Sequence, residues 1–282
     1  MILIFGRNGQ VGTELQRLSN VISYDRNQVD LKNAPKCAQL IKSLKPDTVI
    51  NAAAYTDVDK AESDLKTAIQ INSHAPYAMS QACAEIGVPF IHLSTDYVFS
   101  GNGQNPWKPN DITIPKNYYG QSKLEGEKAV QESGANYAII RTSGVISAHG
   151  QNFVKTMIKL AEKQKRISVV NDQILGPTPA KNIAATCMSI ASELKQNPQK
   201  SGIYHFCGNP AISWYDFTRS IFGFSGQDIQ VKSVLTEDYP MTAMRPLNCV
   251  LDCSLTYKTF GISQPSWRIG LQDILKELEV IK

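Results

Sequence analysis

The sequence predicts an α/β protein built on a doubly wound parallel sheet, with a second, smaller α/β domain. Three observations carry that prediction: an apolar run at residues 2–5 that stops at a glycine-rich turn, the recurrence of such runs between helical stretches, and a change of pattern near residue 146. With 282 residues, 42% hydrophobic and 19% charged, the chain is long enough to bury the core such a fold requires.

Residues 2–5 (ILIF) are apolar throughout, as a parallel strand covered on both faces must be, and 11–18 reads as the helix that follows. Apolar or β-branched runs recur at 21–24, 48–51, 90–94 and 137–141. Helices are predicted between them over 34–44, 61–86 and 121–133. Strands separated by helices make right-handed crossovers, which is the Rossmann arrangement.

Beyond Arg141 the alternation loosens into a polar loop (147–151), a helix over 153–164, a strand at 167–170 and a Gly/Pro turn at 175–179. The division is therefore 1–145 for a dinucleotide-binding domain and 146–282 for a substrate domain. The run at 202–207 has the content of a strand returning to the first sheet, so the two domains are expected to interleave.

Other classes fit the composition poorly. The longest apolar stretches fall far short of the roughly 20 residues that cross a bilayer, and no secretory leader pattern opens the chain, so no membrane role and a cytoplasmic location are expected. Six scattered cysteines form no CxxC pair, and the four histidines form no HExxH pattern, so neither a disulfide framework nor a zinc site is predicted. A formal charge of +4 without a long basic run argues against nucleic acid.

Gly6-Arg7-Asn8-Gly9-Gln10-Val11-Gly12 spells GxxGxxG between the first strand and first helix. Glycines there permit a tight turn and close approach of the backbone to a pyrophosphate, which the helix N-terminus attracts. Asp25, at the tip of the second strand, suits the adenosine ribose hydroxyls and favours NAD, whereas Arg26 beside it suits a 2′-phosphate, so NADPH and NADH both stay open. Asp30 is placed to meet the adenine amino group. Ala52, Ala53 and Ala54 follow Asn51 with side chains small enough for a cofactor to lie against them.

Tyr119 and Lys123 form YxxxK, four residues apart and so on one helical face. An ammonium beside a phenol favours the phenolate and draws its pKa towards neutrality. Reducing a ketone needs a proton at oxygen as hydride reaches carbon, and Tyr119 would be that acid. Ser94-Thr95-Asp96 ends a buried strand, where Thr95 offers a hydroxyl to the carbonyl.

These residues resemble the extended short-chain dehydrogenases and, within them, the dTDP-4-dehydrorhamnose reductase family. The likeness runs through GRNGQVG (6–12), NAAAYTDVDKAESD (51–64), STDYVFSGNG (94–103), YYGQSK (118–123), GQNFVKTM (150–157), NDQ and GPT (171–178) and MRPLNCVLD (244–252). It implies NAD(P)H-dependent reduction of the 4-keto group of a dTDP-4-keto-6-deoxy-L-hexose, with Thr95, Tyr119 and Lys123 catalytic. Asn8, Gln10, Val11, Leu31 and Tyr55 join the cofactor residues by the same likeness. Asp96, Tyr97, Asn152 and Arg245 would face the sugar nucleotide, Arg245 because its planar fork suits phosphate oxygens. Alternatives are a sister reductase giving a 6-deoxy-talose or dihydrostreptose product, or a non-catalytic nucleotide-sensing subunit; a homodimer is compatible.

Two departures stand out. The family usually carries a Trp where this chain has Gly144, so a roomier or differently shaped sugar pocket is expected. Some members hold Mg²⁺ at a dimer contact through glutamates; Glu14 matches one, but Lys181 falls where another is expected, and no metal is predicted.

Overall fold

The computed structural model describes residues 1–281. The first half alternates as the sequence implies: β1 (Ile2–Phe5), α1 (Gln10–Leu18), β2 (Ile22–Tyr24), α2 (Ala34–Leu44), β3 (Thr48–Asn51), the short helices α3 (Val58–Ala61) and α4 (Leu65–Ile69), α5 (Ala75–Ile86), β4 (Phe90–Thr95), α6 (Tyr118–Glu132) and β5 (Tyr137–Thr142). The second half supplies β6 (Val145–Ile146), α7 (Phe153–Ala161), β7 (Arg166–Val170), β8 (Ile174–Leu175), β9 (Thr178–Pro179), α8 (Ala180–Gln196) and β10 (Gly202–His205). It ends with β11 (Ile212–Ser213), α9 (Trp214–Ser225), β12 (Gln230–Val234), β13 (Asn248–Cys249), α10 (Ser254–Phe260) and α11 (Trp267–Glu277).

Six strands form one parallel sheet in the order β10-β5-β4-β3-β1-β2. The chain leaves β1 towards β2 and then crosses back to β3, so the crevice of such sheets opens at the carboxyl ends of β1 and β3. One face is covered by α1 and α8 over Ile4, Ile50, Ile91 and Ile140. On the other, α2 and α5 cover Leu3, Phe5, Val49 and Phe90. The later residues therefore return to the large sheet twice, through α8 and β10, while a separate core of α7, α9 and α11 forms around Phe217 and Trp267. Beside that core lie short pairings: β7 with β12, β6 with β9, and β8 between β11 and β13.

Three expected elements differ. The helix read over 61–86 is broken, because Asp57 caps one short helix at Lys60 N and a π-helical turn at Gln70–His74 precedes α5. Pro76 lacks the N–H that would bond Asn72 O, and that carbonyl lies so close to Gly126 of α6 that a Cβ there would stand 1.9 Å from it. Next, α6 begins at Tyr118 rather than near residue 121, with Asn117 Oδ1 accepting from Gly120 N at 2.8 Å. The cap was missed because the chain before it is irregular; its effect is to place Tyr119 and Lys123 on one helix. Finally, the turn at 175–179 carries the two-residue strands β8 and β9.

Candidate active site

A cavity of about 1160 Å³ runs along the carboxyl ends of the central strands and on between α7, β8 and the 245–249 segment. At its β1 end Gly6 (φ +98°) turns the chain, and Gly9 begins α1 with no side chain capping it. The first amides of α1 are thus left for another acceptor. Gly12 closes the turn: a Cβ there would lie 2.0 Å from Gly6 O. Gln10 Oε1 is buried without a partner in this wall. An uncapped helix start and a turn that admits no side chain at Gly6 or Gly12 together fit a dinucleotide diphosphate.

Further along this wall lie Asn8, Gly9, Val11, Asp25, Arg26, Asp30, Leu31 and Ala52–Ala54. Asp25 Oδ1 accepts from the amides of Asn27 and Gln28, and Oδ2 accepts from Asn8 Nδ2 at 3.2 Å, so one carboxylate ties the β2 turn to the glycine loop. Two expected cofactor residues are not in the wall. Gly12 is covered by Gly6, and Tyr55 is held away: Asn72 pins its backbone and its hydroxyl reaches Asp64 at 3.4 Å. Thr56, Asp57 and Val58 line the cavity instead.

Thr95, Tyr119 and Lys123 converge where β4 ends against α6. Lys123 is buried and donates to Leu93 O at 2.7 Å, with His92 Nε2 at 3.4 Å; His92 Nδ1 in turn lies 3.2 Å from Asn51. Burial lowers the Lys123 ammonium to about 8, opposed by Glu127 one turn on, and keeps His92 neutral. Glu127 itself is locked by a buried bidentate pair with Arg141, at 2.7 and 2.9 Å.

The phenol of Tyr119 is pushed up to about 12 by burial, and only the neighbouring Thr95 hydroxyl acts downward. This corrects the expectation of a phenol already made more acidic by Lys123: here that ammonium serves the Leu93 carbonyl, and desolvation of the phenolate dominates. The Thr95 hydroxyl donates to Asp96 Oδ1 at 2.9 Å, while Ser143 donates to Oδ2 at 2.7 Å. Asp96 faces no cation, and burial raises its carboxyl.

The far end of the cavity gathers distant segments: Gly150–Phe153 and Thr156, Gln173–Leu175, Trp214, and Arg245, Pro246 and Cys249. Phe153 and Trp214 pack with centroids 4.2 Å apart and planes tilted by 36°, and Tyr97 meets Tyr119 edge to face at 5.7 Å. Arg245 Nη2 donates to Asp59 Oδ2 at 2.7 Å, joining this segment to α3. Asn152 is occupied as a helix cap: Oδ1 accepts from Lys155 N at 3.2 Å and Nδ2 donates to Ser147 O at 2.7 Å. Its amide is therefore spent within the chain, although the residue lines the wall.

The chain matches the family model described as the RmlD substrate binding domain over residues 1–280. The chain belongs to this family. A dTDP-4-dehydrorhamnose reductase of Escherichia coli (strain K12) is 40% identical, with 98% of this chain and 97% of that protein covered. A crystal structure of a dTDP-4-dehydrorhamnose reductase from Clostridium acetobutylicum superposes with TM-score 0.92 at 34% identity, covering 99% of each chain. Another, from Bacillus anthracis in complex with NADP, gives 0.90 at 32% identity over 98% of each.

Where a roomier or differently shaped sugar pocket is expected, Gly144 does not leave an open space. It adopts φ +47°, and a Cβ on it would stand 2.4 Å from Leu175 Cδ1. Leu175 from β8 takes up that part of the wall, so the pocket is reshaped rather than enlarged beside residue 144. Nothing in the pattern around 175 signalled this, because the neighbour comes from a separate strand. Away from the cavity floor, Glu14, His149 and Glu277 bring ligand-type atoms within 4.8 Å of one another, and Arg17 pairs with Glu277 at 2.5 Å. His149 and Glu277 carry no local sequence signal of that meeting.

Proposed function

We propose that this protein is an NAD(P)H-dependent oxidoreductase that reduces the 4-keto group of a dTDP-4-keto-6-deoxy-L-hexose, with dTDP-4-dehydrorhamnose as substrate and dTDP-L-rhamnose as product. The observation that carries the reading is the single cavity in which the uncapped α1 start, the Tyr119–Lys123 face and Arg245 all meet. It agrees with the reductase named in the E. coli relative and the NADP held by the B. anthracis protein. A cytoplasmic setting accords with six free, buried cysteines. Among the described residues no helix is long and apolar enough to cross a membrane.

The α1 N-terminus and Gly6–Val11 would hold the diphosphate, Asp25 the adenosine ribose, with Arg26 beside it for a 2′-phosphate, and Lys123 the nicotinamide ribose. When bound, the reduced nicotinamide supplies a hydride. Tyr119 stays protonated across the neutral range and delivers its proton to the ketone oxygen. Lys123 then stabilises the phenolate left behind, its ammonium turning from Leu93 O. Thr95 must turn from Asp96 to present its hydrogen to the carbonyl, and Ser143 keeps Asp96 satisfied when it does. Arg245 meets the sugar nucleotide's diphosphate by exchanging one Asp59 oxygen for phosphate. Leu175 beside Gly144 shapes the space for the hexose, and so the face presented to hydride.

The test is incubation with dTDP-4-dehydrorhamnose and each reduced cofactor, following absorbance and then product NMR. Cofactor consumption with one new C4 hydroxyl is expected; none with either cofactor overturns the reading.

A further inference from the structure

Among the described residues, two side chains in the cavity wall keep a buried polar atom with no hydrogen-bond partner: Gln10 and Thr142. Gln10 belongs to the glycine loop, but Thr142 has no part in the site as described so far. It closes β5 in register with Thr95, which closes β4. Residues paired in this way on parallel strands show their side chains to the same face. The Thr95 hydroxyl is engaged by Asp96 and by Tyr97 N, at 2.9 and 3.2 Å. Thr142 is 7% exposed, and its hydroxyl is buried and engaged by nothing. Buried hydroxyls without partners are uncommon because desolvation is not repaid, and one that lines a cavity implies a ligand that completes it.

We propose that Thr142 is a positioning residue that hydrogen-bonds the carboxamide of the nicotinamide ring, an inference that rests on reading the cavity as a dinucleotide cleft. The order of strands supplies the argument. Asp25 follows β2, the glycine loop follows β1, Ala52–Ala54 follow β3, and Leu93–Thr95 and Thr142 end β4 and β5. A dinucleotide with its diphosphate at the start of α1 and its adenosine ribose at Asp25 extends the other way, over β3. It reaches β5 after three strand spacings, roughly 14 Å. The group arriving there is the nicotinamide. Leu93 and Val145 offer apolar surface for its ring, and Thr142 offers both a donor and an acceptor, matching an amide that has both.

Thr142→Val keeps the branched shape and deletes the hydroxyl; Thr142→Ser keeps the hydroxyl. Wild type and both variants are titrated by calorimetry with NADP⁺, with its 3-acetylpyridine analogue, in which a methyl replaces the amide nitrogen, and with 2′-phospho-ADP-ribose, which has no nicotinamide. The Val variant should bind NADP⁺ about five- to tenfold more weakly and bind the fragment as wild type does. It should also lose the wild-type preference for NADP⁺ over the analogue, and Ser should restore both. NADP⁺ affinity within twofold of wild type overturns the proposal, as does an equal loss for the fragment, which would mark a structural role. Wild type that binds the fragment but not NADP⁺ overturns it too, whereas failure to bind any of the three, and NAD⁺ as well, refutes the dinucleotide cleft itself.

Discussion

The two ends of the cavity are built in opposite ways. At the β1 end the chain presents backbone: a glycine turn, the first amides of α1 and a run of alanines, all drawn from residues 6–54. At the far end it presents side chains gathered from residues 150–156, 173–175, 214 and 245–249, held by strands of two residues and by the Arg245–Asp59 pair. A diphosphate can be held by amides whose placement follows from local geometry. A sugar must be recognised by groups that no local pattern arranges, so the second region is where one member of the family can differ from another.

Tyr119 stands where the ends join, and its loss should have the largest effect. Tyr119→Phe is expected to lower turnover at least about 10²-fold with NADPH affinity nearly unchanged, because only the proton donor is removed; rate and fluorescence titration together check this. Gly12→Ala should act on the first end alone. A Cβ 2.0 Å from Gly6 O forces the loop apart, and cofactor affinity should fall more than about tenfold, by titration, in a protein that still melts cooperatively. Arg245→Ala should act on the second end alone, raising KM for the sugar nucleotide about tenfold while cofactor affinity moves less than about twofold. If either variant damaged both bindings equally, the division between the ends would be wrong.

Acidity sharpens the same division. In the free enzyme Lys123 titrates near pH 8 and Tyr119 only at about 12, so the ammonium is lost first as pH rises. Since reduction needs both protons in place, kcat/KM should fall above about pH 8, and Lys123→Arg should move that limb upward. The contribution of Lys123 to folding stability should rise over the interval from about 8 to 10.5, because there the unfolded chain binds the proton the buried lysine has released, while the buried thiols of Cys83 and Cys187, pushed up by desolvation, act in the opposite sense. Chemical denaturation of wild type and Lys123→Met at several pH values reads the lysine's share as the difference between the two slopes. The smallest effect is expected of Leu175→Ala, which clears space beside Gly144: selectivity among 4-keto sugar nucleotides should change a few-fold, by ratios of kcat/KM.

Legibility followed the same line. The alternation of strands and helices, the glycine loop and the Tyr119–Lys123 spacing could be read because each depends on near neighbours: apolar strands, a turn, one helical repeat. The start of α6 was misplaced because its cap, Asn117, follows irregular chain, and the helix over 61–86 concealed the break that Pro76 and Gly126 impose through tertiary contact. Tyr55 and Asn152 looked available in sequence, yet Asn72 and the α7 cap occupy them. The upward shift of Tyr119 could not be read at all, since it depends on how completely the cleft excludes water. Leu175 and Trp214 had no motif to announce that they share a wall with Thr95.

The central claim is that one cleft brings hydride and ketone together at Tyr119. It is tested most directly by supplying dTDP-4-dehydrorhamnose with NADPH deuterated at the transferable position and reading the product by NMR. Deuterium at C4 of the hexose, on one face only, is the predicted result. Cofactor oxidation that leaves C4 without deuterium, or a product labelled on both faces, would contradict it.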